Sequence, residues 1–234
     1  MNRRVDVASS FALSVARLGA GIRVSPLGER PEKRLELYEF EACPFCRKVR
    51  EALSCLDLEA VIYPCPKNGP TYRPKVREEG GKMQFPFLKD PNTGTSLYES
   101  DDIVRYLFEK YGKGPAPFLC SGGMVNKVSG FLAVPFRGTL GLNYIRSRKP
   151  EQMLELYSFE GSPYCRIVRE VLCSLEIPYH LHNVAKGSPS RNAFVERSGK
   201  MMVPYLVDPN TNTALFESAD IKKYLLSGYA LHGG

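Results

Sequence analysis

The feature that most constrains this chain is that it contains the same segment twice. "LELYEFEACPFCRKVREALSCL" at Leu35–Leu56 returns 119 positions later as "LELYSFEGSPYCRIVREVLCSL" at Leu154–Leu175. A second pair follows in the same order, "GKMQFPFLKDPNTGTSLYES" and "GKMMVPYLVDPNTNTALFES". A chain of 234 residues could form one large domain or two small ones, each with a modest core. The repeat decides for two copies of one small unit.

Each copy opens on a short strand of large apolar residues, LELYEF or LELYSF, that ends just before a turn. A helix follows, because Val49, Leu53 and Leu56 recur at helical spacing, as do Val168, Leu172 and Leu175. Pro44 and Pro163 fall in its first turn, where proline is tolerated. Next come a second strand, EAVIYP or PYHLHN, a short helix, and two apolar runs joined by a DPNTxT turn, which read as a β-hairpin. A last helix is carried by Ile103, Tyr106 and Leu107 and by Ile221, Tyr224 and Leu225. The expected layout is a lead-in segment over 1–34, a first unit over 35–112, a linker and second lead-in over 113–153, and a second unit over 154–229. The order strand, helix, strand, helix, hairpin, helix suits an α/β unit built on a four-stranded mixed sheet flanked by helices.

With 43% hydrophobic and 24% charged residues, the chain falls among soluble globular proteins. No apolar run approaches the roughly 20 residues that span a bilayer, and the most lipid-like stretch is broken by Pro135 and Arg137. The net charge of +7 favours anionic ligands, but the basic residues are scattered, which argues against a nucleic-acid surface. Seven cysteines, an odd number, do not make a disulfide framework, so a reducing compartment is expected. "ASSFALSVARLGAGIR" has the composition of an organellar address. Yet "VSGFLAVPFRGTLG" precedes the second unit in a comparable place, with Phe11 against Phe131 and Arg17 against Arg137, so both read as structural lead-ins.

The chemistry sits at the turn before each first helix. Cys43 would face the unsatisfied N–H groups and positive dipole end of that helix, which favour the thiolate, with Arg47, Lys48 and Arg50 adding positive charge. Cys46, one turn on, is placed to attack a mixed disulfide on Cys43. A metal-binding pair is the alternative for Cys43 and Cys46, although closed zinc sites want four ligands. In the second copy Ser162 replaces the nucleophile, leaving Cys165 with nothing to resolve. Cys55 and Cys173 read as core residues, whereas Cys65 and Cys120 read as exposed, oxidisable thiols. His180 and His182 share one face of a strand with no third ligand evident.

These motifs, taken together and in order, resemble the thioredoxin-like superfamily, specifically glutaredoxins and the N-terminal domain of glutathione S-transferases. They also resemble a plant and algal plastid group with two such domains in tandem. The resemblance implies that Phe85-Pro86 and Val203-Pro204 are cis and lie beside the reactive turns. It implies further that Glu99-Ser100 and Glu217-Ser218 grip the γ-glutamyl group of glutathione, Glu on the ammonium, Ser and the helix N-terminus on the carboxylate. Ser100 and Ser218 also read as ordinary N-caps. Lys67 and Lys186 would reach the glycyl carboxylate, or else be solvated surface.

The expected function is a glutathione-dependent thiol–disulfide oxidoreductase, with Cys43 as nucleophile, Cys46 as resolving thiol, glutathione as co-substrate and disulfide or glutathionylated substrates. Two alternatives stay open. One is a glutathione-binding transferase or ligand carrier in which Ser162 stabilises the bound thiolate and a groove between the units takes the second ligand. The other is a scaffold for a metal or iron–sulfur cluster held by Cys43 and glutathione. No tightly bound metal, nucleic acid or membrane span is expected, the oligomeric state is left open, and the resemblance implies a plastid location.

Overall fold

A computed structural model describes residues 21–117 and 140–231. Phe11, Arg17, Cys120, Phe131, Pro135 and Arg137 lie outside them. The first half runs β1 (Leu35–Glu39), α1 (Pro44–Cys55), β2 (Ala60–Pro64), α2 (Tyr72–Gly80), β3 (Phe87–Asp90), β4 (Thr95–Leu97) and α3 (Ser100–Tyr111). The second half repeats it as β5 (Leu154–Ser158), α4 (Pro163–Ser174), β6 (Tyr179–Asn183), α5 (Arg191–Ser198), β7 (Tyr205–Asp208), β8 (Thr213–Leu215) and α6 (Ser218–Tyr229). The periodicity and turn chemistry of the repeat are thus realised element by element.

The two four-stranded sheets join into one. The strand order is β4-β3-β1-β2-β6-β5-β7-β8, and the joint is an antiparallel pairing of β2 with β6, with Val61 opposite His180. Within each half the inner pair is parallel, β1 with β2 and β5 with β6, and the hairpin strands are antiparallel. Pairing β2 with β6 satisfies the edge that each half would otherwise expose. It also sets the direction of everything else: β1 and β5 run opposite ways, so the turns that follow them open at opposite ends of the sheet.

The apolar stripes of α1 and α4 are wholly buried, and one hydrophobic cluster runs through both halves, from Leu37 and Leu53 to Leu156 and Leu172. The seam is also held by exchanged polar contacts. Glu176, after α4, accepts from the backbone N–H groups of Thr71 (3.0 Å) and Tyr72 (3.2 Å), capping α2 of the other half. The lead-in before each half crosses to the other. Val24 N donates to Lys186 O (3.0 Å) and Lys186 N to Ile22 O (2.7 Å), while Lys67 N donates to Leu142 O (2.6 Å) and Tyr144 N to Lys67 O (3.0 Å).

Candidate functional site

Cys43 is the N-cap of α1, in extended conformation, and its Sγ accepts the backbone N–H of Cys46 at 3.3 Å. That hydrogen bond satisfies one of the orphan donors at a helix start and places the sulfur at the positive end of the helix. Interaction with the Cys46 thiol, then with the Cys46 and Phe45 amides, holds the Cys43 thiol below its ordinary value against the opposing effect of burial. Burial pushes Cys46 well above the ordinary thiol value, and the neighbouring Cys43 adds to this. One thiol is therefore poised to ionise and the other to keep its proton.

The cations expected to help Cys43 are already matched by carboxylates. Lys48 pairs with Asp101, Arg47 with Glu51 (3.2 Å) and Glu160 (3.7 Å), and Arg50 with Glu39, Glu41 (3.2 Å) and Glu160 (3.0 Å). Arg169 on α4 answers symmetrically, reaching Glu41 (3.1 Å) and Glu160 (2.8 Å). Within this buried cluster the acids separate. Burial pushes Glu39 up to about 7 despite Arg50. Glu160 suffers the same desolvation, but Arg169, Arg50 and Arg47 outweigh it and hold its carboxyl down at about 2. Activation of Cys43 rests on the helix terminus and on Cys46, not on nearby cations.

At the second turn Ser162 is the N-cap of α4, accepting the Cys165 N–H at 3.3 Å, and burial raises the Cys165 thiol. The peptide bonds Phe85–Pro86 and Val203–Pro204 are both cis. α3 and α6 begin at Ser100 and Ser218, so the N-cap positions belong to Glu99 and Glu217, not to the serines. Both glutamates sit at positive φ, 63° and 64°. A positive-φ glutamate in the same place in both halves is a strained feature of the kind that clusters at functional sites. Tyr164, Met202, Val203, Pro204, Glu217 and Ser218 line a cavity of about 320 Å³ beside the second turn. At the first, Gln84 donates to the Glu99 carboxylate, where the second half has Met202.

Several expectations change. Cys65 is fully buried, not exposed, because it closes β2 against the Glu39 carbonyl. Lys67 and Lys186 do lie near the turns, with exposed side chains and backbones paired to the opposite lead-in. His182 is engaged by two carboxylates, Glu59 at 2.7 Å and Glu155 at 3.2 Å, and no group of three or more side chains among the described residues is arranged to hold a metal ion. Arg73 escaped sequence reasoning. Held by the carbonyls of Cys65 (3.1 Å) and Pro66 (2.7 Å), its guanidinium lies 4.8 Å from the centre of the Phe85 ring. Arg191 repeats the carbonyl contacts 118 positions later, and that recurrence, masked by a one-residue deletion, was the available signal. No helix among the described residues is long and apolar enough to cross a membrane.

The family model for the glutathione S-transferase N-terminal domain matches the chain twice, over residues 37–117 and 156–232. Among solved structures, a glutathione transferase of Bombyx mori is 28% identical over 37% of this chain and 39% of its own, with a TM-score of 0.33. The chain thus spans about two fifths of that protein's length. A trimeric glutathione transferase of Leishmania is 15% identical over 86% of this chain and 68% of that one, with a TM-score of 0.31. No curated protein matches the chain.

Proposed function

Because the chain belongs to the glutathione S-transferase N-terminal domain family, carrying that domain twice, we propose that it binds glutathione and acts at Cys43 as a glutathione-dependent thiol–disulfide oxidoreductase. The observation that carries this reading is the Cys43 sulfur at the start of α1, hydrogen-bonded to Cys46 N–H, with its thiol lowered while that of Cys46 is raised. Such a pair has the asymmetry that dithiol exchange needs. The Cys43 thiolate attacks the glutathionyl sulfur of a mixed disulfide, and the substrate leaves as a thiolate that takes up a proton from water. A second glutathione thiolate then attacks the Cys43 adduct and releases glutathione disulfide, or Cys46 loses its proton and attacks, releasing glutathione and closing a Cys43–Cys46 disulfide.

Glutathione binding draws on Glu99 and Ser100 for the γ-glutamyl end, on the backbone at Phe85-Pro86 for the cysteinyl residue, and on Lys67 or Arg73 for the glycyl carboxylate. In the second half Glu217, Ser218, Val203, Pro204 and Lys186 take the same parts, with Cys165 beneath. Ser162 carries a second reading: its hydroxyl accepts from Cys165 N and keeps its own hydrogen to donate to a bound sulfur. The tandem chain is placed in a plastid on the resemblance alone, testable by locating a fluorescent fusion of the full-length protein.

Reduction of a glutathione mixed disulfide tests the assignment. Cys43→Ser should lower the rate by about 10³-fold or more, and Ser162→Ala should leave it unchanged. Undiminished activity in Cys43→Ser would sink the proposal.

A further inference from the structure

The turn that delivers Cys43 is short: Cys43 N donates to Phe40 O at 3.0 Å, which leaves Glu41 and Ala42 as its two central residues. The opposite half takes both of their backbone N–H groups. Glu41 N donates to Cys173 Sγ (3.4 Å) and Ala42 N to Gly141 O (3.2 Å). Cys173 also donates its own hydrogen to Gly141 O at 3.4 Å, so α4 and the second lead-in grip the turn together. Gly141 has a φ of 78°, and a Cβ there would lie 3.2 Å from Glu41 Cβ, so glycine is what lets the lead-in come this close.

The Glu41 side chain is held from the same direction. Arg169 donates to its carboxylate from both Nε (3.1 Å) and Nη2 (3.2 Å), with Arg166 at 3.8 Å, while the first half contributes Arg50 at 3.2 Å. Glu41, Arg169 and Cys173 are all buried, so solvent does not replace a partner that is lost. A displaced turn carries with it the N-cap residue that ends it, and so disturbs the 3.3 Å bond from Cys46 N–H to the Cys43 sulfur. The second turn is held in the reverse sense: Glu160 N donates to Ser54 Oγ (3.0 Å) on α1. There the support ends on the Ser162 hydroxyl, and only at the first turn does it place a nucleophilic thiol.

We propose that Arg169 and Cys173, on the first helix of the opposite half, are positioning residues for the Cys43 nucleophile: they hold its turn so that the sulfur keeps its place at the start of α1. The second half then serves the reaction of the first through the seam, independently of any ligand at Ser162. This rests on the reading of Cys43 as the nucleophile.

Two readouts on the full chain test it: the pH midpoint of Cys43 alkylation by iodoacetamide, located by mass spectrometry, and the rate of glutathione mixed-disulfide reduction. Cys173→Ala should raise the midpoint by about half a pH unit, because a loosened bond from Cys46 N–H favours the thiolate less, and should lower the rate about tenfold. Cys173→Ser, which installs the residue that α1 has at Ser54 and keeps both an acceptor and a donor, should behave as the wild type. Arg169→Lys keeps the charge and loses the two-point grip on Glu41. It should shift both readouts in the same direction by less, and it does not depend on the alanine variant folding. Ser54→Ala makes the equivalent cut at the second turn from the helix of Cys43 itself, and should leave both readouts unchanged. A midpoint unmoved by Cys173→Ala and by Arg169→Lys, or moved equally by Ser54→Ala, overturns the inference. The midpoint is read without glutathione, so a wild type that reduces no mixed disulfide ends the oxidoreductase reading, while this inference is decided by the midpoint alone.

Discussion

The two halves share matching first helices, α1 and α4, a cis proline each and a positive-φ glutamate each, and they part at a few positions around the turn. Where the first half has Glu39, Cys43, Lys48, Gln84 and Asp101, the second has Ser158, Ser162, Ile167, Met202 and Ala219. Every change removes a charge, a thiol or an amide from the second site. The scaffold is the same in both halves, and these groups are missing from the second turn. The two turns are nevertheless joined beneath by one buried cluster, since Arg50 and Arg169 each pair with both Glu41 and Glu160.

The most severe way to break the comparison is to move the nucleophile. In Cys43→Ser protein, Ser162→Cys should restore mixed-disulfide reduction from background to a measurable rate, since α4 presents the same N-terminus and Cys165 already lies below it. If that protein binds glutathione yet stays inactive, residues besides the sulfur, Glu39 and Lys48 first among them, separate the sites.

The next effect concerns stability. Arg50 holds Glu39, Glu41 and Glu160, whereas Arg169 holds Glu41 and Glu160 with Ser158 where the third acid would be. Removing one partner of a buried pair leaves an uncompensated charge and costs about 3–5 kcal/mol. Arg50→Met should fall at the upper end and Arg169→Met at the lower, read from urea unfolding. Equal losses would mean that Glu39 is not held by Arg50.

Glu39 can be isolated by pH. Its carboxyl ionises near 4.5 when unfolded and near 7 when folded, so the folded state favours the proton. The resulting stabilisation is fully present below about 4.5 and is lost as the pH rises through about 7. Measured against Glu39→Gln, the wild type should lose on the order of 3 kcal/mol across that window and no more above it. A difference that is flat with pH would show that Arg50 keeps the carboxylate ionised throughout.

The helices, the hairpins and the turn cysteines were legible in the sequence because each is a local pattern: Val49, Leu53 and Leu56 lie on one helical face whatever surrounds them. What was not legible comes from far along the chain. The pairing of β2 with β6, the exchange of lead-ins, and the pairs Lys48–Asp101 and Arg47–Glu160 all join residues dozens of positions apart. Arg47, Lys48 and Arg50 looked like support for a thiolate because sequence shows the neighbours on the helix and hides Asp101 and Glu160. Cys65 looked exposed for the same reason: the sequence hides Tyr38, Val76 and Phe87, the cluster in which it is buried.

The smallest expected effect probes the joint of β2 with β6. His182 on β6 occupies the place of Tyr63 on β2, and the two stack alike, His182 on Tyr157 at 4.4 Å and Tyr63 on Tyr38 at 4.6 Å. Only the histidine links carboxylates of both halves, Glu59 and Glu155. His182→Tyr keeps the stack and removes the link. Each carboxylate retains an arginine, Arg34 for Glu59 and Arg197 for Glu155, both at 3.0 Å. The loss in thermal or urea unfolding should therefore be about 1 kcal/mol or less. A loss of several kcal/mol would mean that the seam depends on this polar link more than on the apolar cluster beneath it, and the two halves would then be partners held by a clasp instead of one sheet over one core.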